Sequence, residues 1–191
     1  MSDERHVARE PYGADLPPVV GSHLVYEGKI ISLRVDEVVL KAGSTALREV
    51  VEHRGAVVMA AIDDDGFIYL VEQYRHPVRQ YLLELPAGGL EPGEEPLACA
   101  KRELREEVGL EAAQWTHLGS FFSSPGFANE KLHAFAARGL TPVKGTPDDD
   151  EDLSVVRYSL QTLLGELGRI NDAKTLATLC LLARETGVLC S

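Results

Sequence analysis

The sequence has few cysteines and no long apolar segment, and both shortages restrict what the protein can be. Its three cysteines, Cys99, Cys180 and Cys190, are widely spaced and form no CxxC pair. This spacing excludes a disulfide-rich fold and argues against a cysteine-ligated zinc site. The longest apolar run, residues 56–62, is far shorter than a bilayer-spanning helix, and the polar N-terminus lacks the apolar core of a signal peptide. We therefore expect a cytoplasmic protein without a membrane partner.

Basic residues are also scarce. The chain has 19 lysines and arginines against 30 aspartates and glutamates, which gives a net charge of −11 at pH 7. Nucleic-acid backbones and anionic membranes are bound by basic surfaces, so neither is expected as the main partner. The 191 residues, 45% of them hydrophobic, can bury a core without disulfides or a structural metal. A phosphate ligand would need local arginines or a divalent cation.

The residue pattern divides the chain into three parts. Residues 1–21 are polar and contain prolines, and we expect a mobile arm there. Residues 22–45 include much of the alternating segment IISLRVDEVVL, which predicts N-terminal β-strands. Residues 46–191 are expected to form the main domain. Its predicted strands are residues 47–53, 56–62, 67–74, 82–85, 117–122, 131–137 and 155–160.

Helices are predicted at residues 96–108 and 172–186, with a shorter one at 160–167. Pro96 suits a first helical turn, and Gly109 and Gly187 mark the two helix ends. The predicted apolar faces consist of Leu97, Ala100, Leu104 and Val108 in the first helix and Leu176, Leu179, Cys180 and Ala183 in the last. Helices set between many strands predict an α+β or layered α/β/α domain.

The first helix carries a cluster of carboxylates. Glu103, Glu106 and Glu107 are spaced i, i+3 and i+4, so they project from roughly one side of the helix. Because the apolar stripe lies on the opposite face, we expect the carboxylates not to turn inward. Like charges this close favour a hard cation such as Mg²⁺ or Mn²⁺ between them. The alternative is a solvated acidic face with an ion pair such as Arg102 to Glu106.

A longer pattern surrounds these glutamates. The chain matches G-x5-E-x7-R-E-U-x-E-E-x-G-U, where U is a bulky aliphatic residue, with Gly88, Glu94, Arg102, Glu103, Leu104, Glu106, Glu107, Gly109 and Leu110. This pattern is the Nudix box, and the chain resembles a Nudix hydrolase. The resemblance implies the Nudix fold, a mixed β-sheet in an α/β/α sandwich, and hydrolysis of a nucleoside diphosphate linked to another moiety with Mg²⁺ or Mn²⁺.

The resemblance also implies roles for the residues of the box. Glu103 and Glu107 match the principal metal ligands, and Glu106 matches a further ligand or a group that orients water. The carbonyl of Ala87 matches a main-chain ligand. Four other positions, Gly88, Glu94, Arg102 and Gly109, match residues that hold the box in shape.

Flanking motifs indicate a branch of the family. EQYR at 72–75, ELPAG at 84–88, Pro125 after the box and the segment 168–175 together resemble ADP-ribose pyrophosphatases. The implied reaction converts ADP-ribose to AMP and ribose 5-phosphate. Two alternatives stay open: another nucleoside diphosphate sugar as substrate, or a module that binds ADP-ribose without cleaving it.

Several residues outside the box are candidates for binding substrate. Arg75 follows a strand just before the box and offers a fork of donors for a diphosphate, with Arg48 as a second candidate. For both, the alternative is a surface ion pair. Pro125 and Gly126 predict a turn that contacts substrate, or an ordinary connection.

The acidic run 148–152 is the last candidate element. The resemblance implies that a glutamate from this region completes the site, and Glu151 is the only glutamate in the run. The alternative is a solvated loop. The resemblance further implies a homodimer in which the strands of residues 22–45 exchange between subunits.

Overall fold

The computed structural model describes residues 16–143 and 153–187. The chain forms two compact units, one ending at Glu52 and the other beginning at His53. The first unit is an antiparallel sheet in the order β1-β2-β3, with β1 at Val19–Glu27, β2 at Ser32–Val39 and β3 at Thr45–Glu52. The predicted N-terminal strands are therefore present. β1 begins at Val19, inside the range expected for the mobile arm.

The second unit contains a seven-stranded sheet. Its strands are β4 (Ala56–Ile62), β5 (Phe67–Arg75), β6 (Gln80–Glu84), β7 (Ala87–Gly89), β8 (Leu110–Phe122), β9 (Lys131–Pro142) and β10 (Leu153–Ser159). The order is β10-β5-β4-β9-β8, while β6 pairs with β5 and β7 with β4. The β4–β9 pair is parallel and the other pairs are antiparallel, so the predicted mixed sheet is confirmed.

Helices cover both faces of this sheet. Alternate residues of β4 face opposite sides. Val58, Ala60 and Ile62 join the core that contains Leu179 and Leu182 of α3 (Ala173–Glu185), together with Leu163 of α2 (Leu160–Gly165). Val57, Met59 and Ala61 join the core of Cys99, Ala100 and Leu104, which belong to the box helix. The predicted α/β/α layering is therefore confirmed. Within the described residues, no helix is long and apolar enough to cross a membrane.

The box helix departs from the prediction in one respect. It is α-helical as α1 (Pro96–Glu103) and continues as a π-helical turn over Leu104–Val108, ending at Gly109 with a φ of 70°. The expectation that the carboxylates do not turn inward is wrong, because Glu103 is 8% exposed and Glu107 5%. Glu107 lies within the wider turn and Glu103 directly before it, and Leu104 between them stays in the core.

The last helix begins with a well-defined cap. Asp172 accepts a hydrogen bond from the Thr175 amide at 3.0 Å and another from the Thr175 hydroxyl at 2.6 Å. The buried Thr175 hydroxyl in turn accepts from the Leu85 amide at 2.8 Å, which ties the first turn of α3 to the end of β6. The predicted apolar stripe is wrong at Cys180, which is exposed. Thr178 and Leu182 lie inward instead.

The loop between β7 and α1 is fixed by an ion pair. Arg102 donates to Glu94 through Nε at 3.0 Å and through Nη2 at 2.9 Å. Glu94 also accepts from the Glu91 amide at 3.0 Å. The hydrogen bonds from Arg102 lower the pKa of Glu94 to about 2, while burial opposes the shift. These contacts support the role in holding the box in shape that the resemblance implies for Glu94 and Arg102.

We expect Glu94→Gln to lower stability in a pH-dependent way. The folded-state pKa lies below the ordinary value of 4.5, so the ion pair stabilises fully above pH 4.5 and is lost as pH falls toward 2. Because both side chains are partly solvated, the loss at pH 7 should be about 1 to 2 kcal/mol. Urea unfolding at pH 7, 5, 4 and 3 measures it, with Glu91→Gln, an exposed residue of the same loop, as the control. A difference that stays constant down to pH 3 would exclude the ion pair as its source.

Candidate active site

The centre of the candidate site is the contact between the box helix and the main chain of β7. A β-carbon at Gly88 would lie 1.8 Å from Cδ and 2.0 Å from Oε1 of Glu103. Only glycine therefore fits at position 88 with this Glu103 conformation. The sequence explains this arrangement, because Gly88 has no side chain at the point where the Glu103 carboxylate crosses β7.

Glu107 lies against the same strand. Its Oε2 accepts a hydrogen bond from the Ala87 amide at 3.0 Å. The structure thus brings Glu103, Glu107 and residues 87–88 together, as the box resemblance implies. Two buried carboxylates on one stretch of backbone form a region of concentrated negative charge that requires positive charge nearby.

Arg102 supplies part of that positive charge. Its Nη1 donates to Glu103 at 2.7 Å and to Glu106 at 3.0 Å. The Arg102–Glu106 ion pair of the alternative interpretation is therefore present, but it is part of a network with the buried Glu103. Glu106 is the more solvated of these two carboxylates, with 32% of its side chain exposed against 11% for Glu103.

The donor set suits a hard divalent cation. The carboxylates of Glu103, Glu106 and Glu107 and the carbonyl of Ala87 offer only oxygen ligands, which Mg²⁺ and Mn²⁺ prefer. In residues 16–143 and 153–187, no three His, Cys, Asp or Glu side chains converge as a metal-binding group. In this arrangement Arg102 holds two of the carboxylates, and Glu151 lies outside the described residues.

Arg75 lies at the end of β5, and Glu84 occupies one edge of its guanidinium. Nε donates to Glu84 Oε1 at 2.9 Å and Nη2 to Glu84 Oε2 at 2.7 Å. Lys174 of α3 also pairs with Glu84 and reaches Asp172 at 3.0 Å. Burial opposes ionisation of Glu84, but Arg75 and Lys174 outweigh it and hold its pKa below the ordinary value. Glu84 hydrogen bonding raises the pKa of Arg75, and the charge of Glu107 adds to the rise.

Sequence reasoning missed the part that Glu84 and Lys174 play. Both residues were visible, Glu84 in ELPAG and Lys174 in segment 168–175, but neither was given a role. A signal was available in principle, because a glutamate at the end of an apolar strand is rarely buried without a cationic partner. The identity of that partner depends on where α3 packs, which local pattern does not give.

The predicted turn at Pro125 and Gly126 is present. The amides of Phe127 and Ala128 both donate to the Ser124 carbonyl, at 3.1 and 2.9 Å. The side chain of Asn129 accepts from the His53 amide at 2.8 Å, which fixes this loop beside the start of β4. The Gly55 carbonyl there accepts from the Leu90 amide, directly after β7, at 3.1 Å. The turn and the box loop therefore lie at the same edge of the sheet.

Arg48 and Cys99 each donate a hydrogen bond to a main-chain carbonyl oxygen. Arg48 lies on β3 of the first unit, exposed, and its Nη1 donates to the Leu47 carbonyl at 2.8 Å. Cys99 is buried beneath the box, with Sγ 3.4 Å from the Gly89 carbonyl oxygen. Burial raises the pKa of its thiol to about 12, which excludes it as a nucleophile at neutral pH.

Comparison with known proteins agrees with this geometry. The NUDIX domain profile matches residues 45–179, and the profile of the nucleoside diphosphate sugar hydrolase N-terminal domain matches residues 18–51. The chain is 41% identical to the ADP-ribose pyrophosphatase of Bacillus subtilis (strain 168) over 160 residues, 82% of this chain and 86% of the relative. It is 42% identical to the methanol dehydrogenase activator of Bacillus methanolicus over 155 residues, 79% of this chain and 84% of the relative.

A solved structure agrees at the level of the fold. The crystal structure of an ADP compounds hydrolase superposes with a TM-score of 0.81 at 24% identity, covering 94% of this chain and 98% of that one. The profile matches cover both sheets and the box, and the curated relatives match most of the chain. This protein therefore belongs to the Nudix hydrolase family.

Proposed function

We propose that the protein hydrolyses the pyrophosphate bond of ADP-ribose to AMP and ribose 5-phosphate in a Mg²⁺-dependent reaction. The observation that carries pyrophosphate cleavage is the buried pair Glu103 and Glu107 on the backbone of residues 87–88. ADP-ribose as substrate rests on the 41% identity to the ADP-ribose pyrophosphatase of Bacillus subtilis. A cytoplasmic location is part of the proposal.

The box residues would hold the cation. Glu103, Glu106, Glu107 and the carbonyl of Ala87 would be its ligands, with Mn²⁺ as a substitute for Mg²⁺. A bound divalent cation neutralises diphosphate charge and lowers the pKa of a bound water. The polypeptide must also keep these like-charged groups together. Arg102 does this by donating hydrogen bonds to Glu103 and Glu106.

Residues outside the box would bind the substrate and direct the water. Arg75 offsets charge on the non-bridging phosphate oxygens, and the turn at Pro125 and Gly126 borders the substrate. Arg48 is the weaker binding candidate, since its observed contact is to its own strand. Glu151 takes the proton of the attacking water as that oxygen bonds to phosphorus, and the bridging P–O bond breaks.

A second substrate within the same chemistry is favoured by one observation. Residues 18–51 match a profile described for nucleoside diphosphate sugar hydrolases in general, which does not specify adenine. Another nucleoside diphosphate sugar is therefore the alternative substrate. A module that only senses ADP-ribose is disfavoured because Glu103, Glu106 and Glu107 are all present.

We also propose a homodimer formed through the first unit. Its sheet exposes apolar side chains that a monomer would leave in water, namely Val19, Val20, Leu24, Val25, Tyr26 and Leu47. Exposed apolar side chains in this number are typical of a surface that a partner covers. Sedimentation velocity tests it, and a monomer at micromolar concentration would contradict it.

The substrate proposal predicts the outcome of a substrate panel. With Mg²⁺, purified protein should convert ADP-ribose to AMP and ribose 5-phosphate with a higher kcat/KM than GDP-mannose, UDP-glucose or ADP-glucose, and a chelator should abolish turnover. Products are identified by mass spectrometry. Preference for another sugar nucleotide would keep the enzyme class and replace the substrate, and no turnover of any panel member would refute the proposed activity.

The metal proposal predicts that Glu107→Gln abolishes most turnover. Loss of one ligand charge should lower kcat by about 100-fold or more. The glutamine oxygen can still accept from the Ala87 amide, and like-charge repulsion falls, so the melting temperature should change little. Glu111→Gln is the control, since the side chain of this nearby glutamate is 46% exposed and pairs only with Arg105 among the described residues. Near-native activity at saturating Mg²⁺ would disprove the assignment, and a large fall in melting temperature would make Glu107 structural.

The proposal for Glu151 predicts a loss in kcat with a smaller change in KM. A group that acts mainly in the transition state has this effect when Glu151→Gln removes it. Asp148→Asn and Asp149→Asn should act weakly, as solvated charges do. Steady-state kinetics of the variants measure this. A crippled Asp152→Asn beside a normal Glu151→Gln would move the role by one residue, and uniformly small effects would favour the solvated loop.

A further inference from the structure

The ion pair between Arg75 and Glu84 uses only one edge of the guanidinium. Glu84 accepts side-on from Nε and Nη2 with both oxygens, at 2.9 and 2.7 Å. A guanidinium has a second, end-on edge formed by Nη1 and the remaining hydrogen of Nη2. In the described part of the chain Nη1 donates no hydrogen bond, and 37% of the Arg75 side chain is exposed. The second edge is therefore open to a ligand.

Glu84 itself is held from several directions. It is 1% exposed, and besides Arg75 it pairs with Lys174 of α3. The residue that follows it, Leu85, donates to the buried hydroxyl of Thr175, which joins the same first turn of α3 to β6. A carboxylate with so few alternative positions fixes the plane of the guanidinium it binds.

This pair is not explained by stability alone. Withdrawing the Glu84 carboxylate from water costs free energy, and apolar replacements of buried ionic groups are often neutral or stabilising. The pair lies next to the box, because β6 ends at Glu84 and β7 begins shortly after it at Ala87, whose amide donates to Glu107 at 3.0 Å. The charge of Glu107 accordingly contributes to the raised pKa of Arg75. A fixed cation beside a carboxylate cluster is a preorganised site for anionic phosphate oxygens.

We propose that Glu84 is a positioning residue of the active site, which holds Arg75 side-on so that its end-on edge faces the diphosphate of the substrate. This inference rests on the proposed function, in which Arg75 binds the diphosphate. Glu84 does not contact the substrate and acts only through Arg75. Lys174 of α3 keeps Glu84 in place.

A double-mutant cycle tests the inference. Arg75→Gln and Glu84→Gln should each lower kcat/KM by about 10- to 100-fold on the best substrate of the panel, the range for loss of charge-assisted hydrogen bonds. If Glu84 acts only through Arg75, the double variant should be no worse than Arg75→Gln alone. The same pattern should appear in the Kd of α,β-methylene ADP-ribose, which cannot be hydrolysed at that bond.

Two further variants separate positioning from folding. After Glu84→Gln, Lys174 keeps its contact with Asp172 at 3.0 Å, but the group gains one unit of positive charge. Glu84→Gln combined with Lys174→Met restores the local charge balance and provides a second folded variant for the same measurement. Asp63→Asn is the matched control. Arg157 holds Asp63 and Asp65 through Nε and Nη2, at 2.7 and 2.8 Å, at the β4–β5 turn. This control should lower the melting temperature at most, with kcat/KM unchanged.

The outcomes distinguish the two proposals. Effects of Arg75→Gln and Glu84→Gln that multiply in the double variant, or near-native kcat/KM in folded Glu84→Gln, would overturn the positioning role while an active parent enzyme keeps the proposed function. A parent enzyme that hydrolyses no substrate of the panel would overturn both.

Discussion

The site depends on one unfavourable contact, the burial of Glu103 and Glu107 against the main chain of residues 87–88. Two carboxylates withdrawn from water on the same backbone segment are tolerated only when donors and cations surround them. The fold supplies these in layers. The Ala87 amide meets Glu107, and Arg102 meets Glu103 while it also holds the box loop through Glu94. The rest of the second unit holds these groups in position.

A second charge network adjoins the first and has the opposite arrangement. Around Glu103 one guanidinium serves several carboxylates, whereas around Glu84 one carboxylate serves two cations, Arg75 and Lys174. Under the proposed function, a protein with a net charge of −11 thus places cations where its anionic substrate binds. Electrostatic stabilisation of this kind depends on local placement and not on net charge.

The sequence predicted those features that depend on local spacing. The box residues follow a fixed spacing, and the helix limits follow from Pro96, Asp172 and the glycines, so the layered fold and the site's location were accessible. Three features were not. The π-helical turn, the inward Glu103 and the partner of Glu84 each depend on how distant segments pack. Alternation and helical periodicity describe one element at a time and contain no information about such contacts.

The central strand β4 has a consequence for how the enzyme can vary. All seven of its residues, Ala56–Ile62, are buried, with alternate side chains in the core beneath the box helix and in the core beneath α3. The two helical layers are therefore separated by a single strand of buried apolar residues, in an interior that is expected to be closely packed. A change in the size of Met59 on one side displaces backbone that also positions Val58 and Ala60 on the other. Substitutions in the core beneath the box helix are therefore expected to be compensated by substitutions in the core beneath α3, on the other face of the sheet.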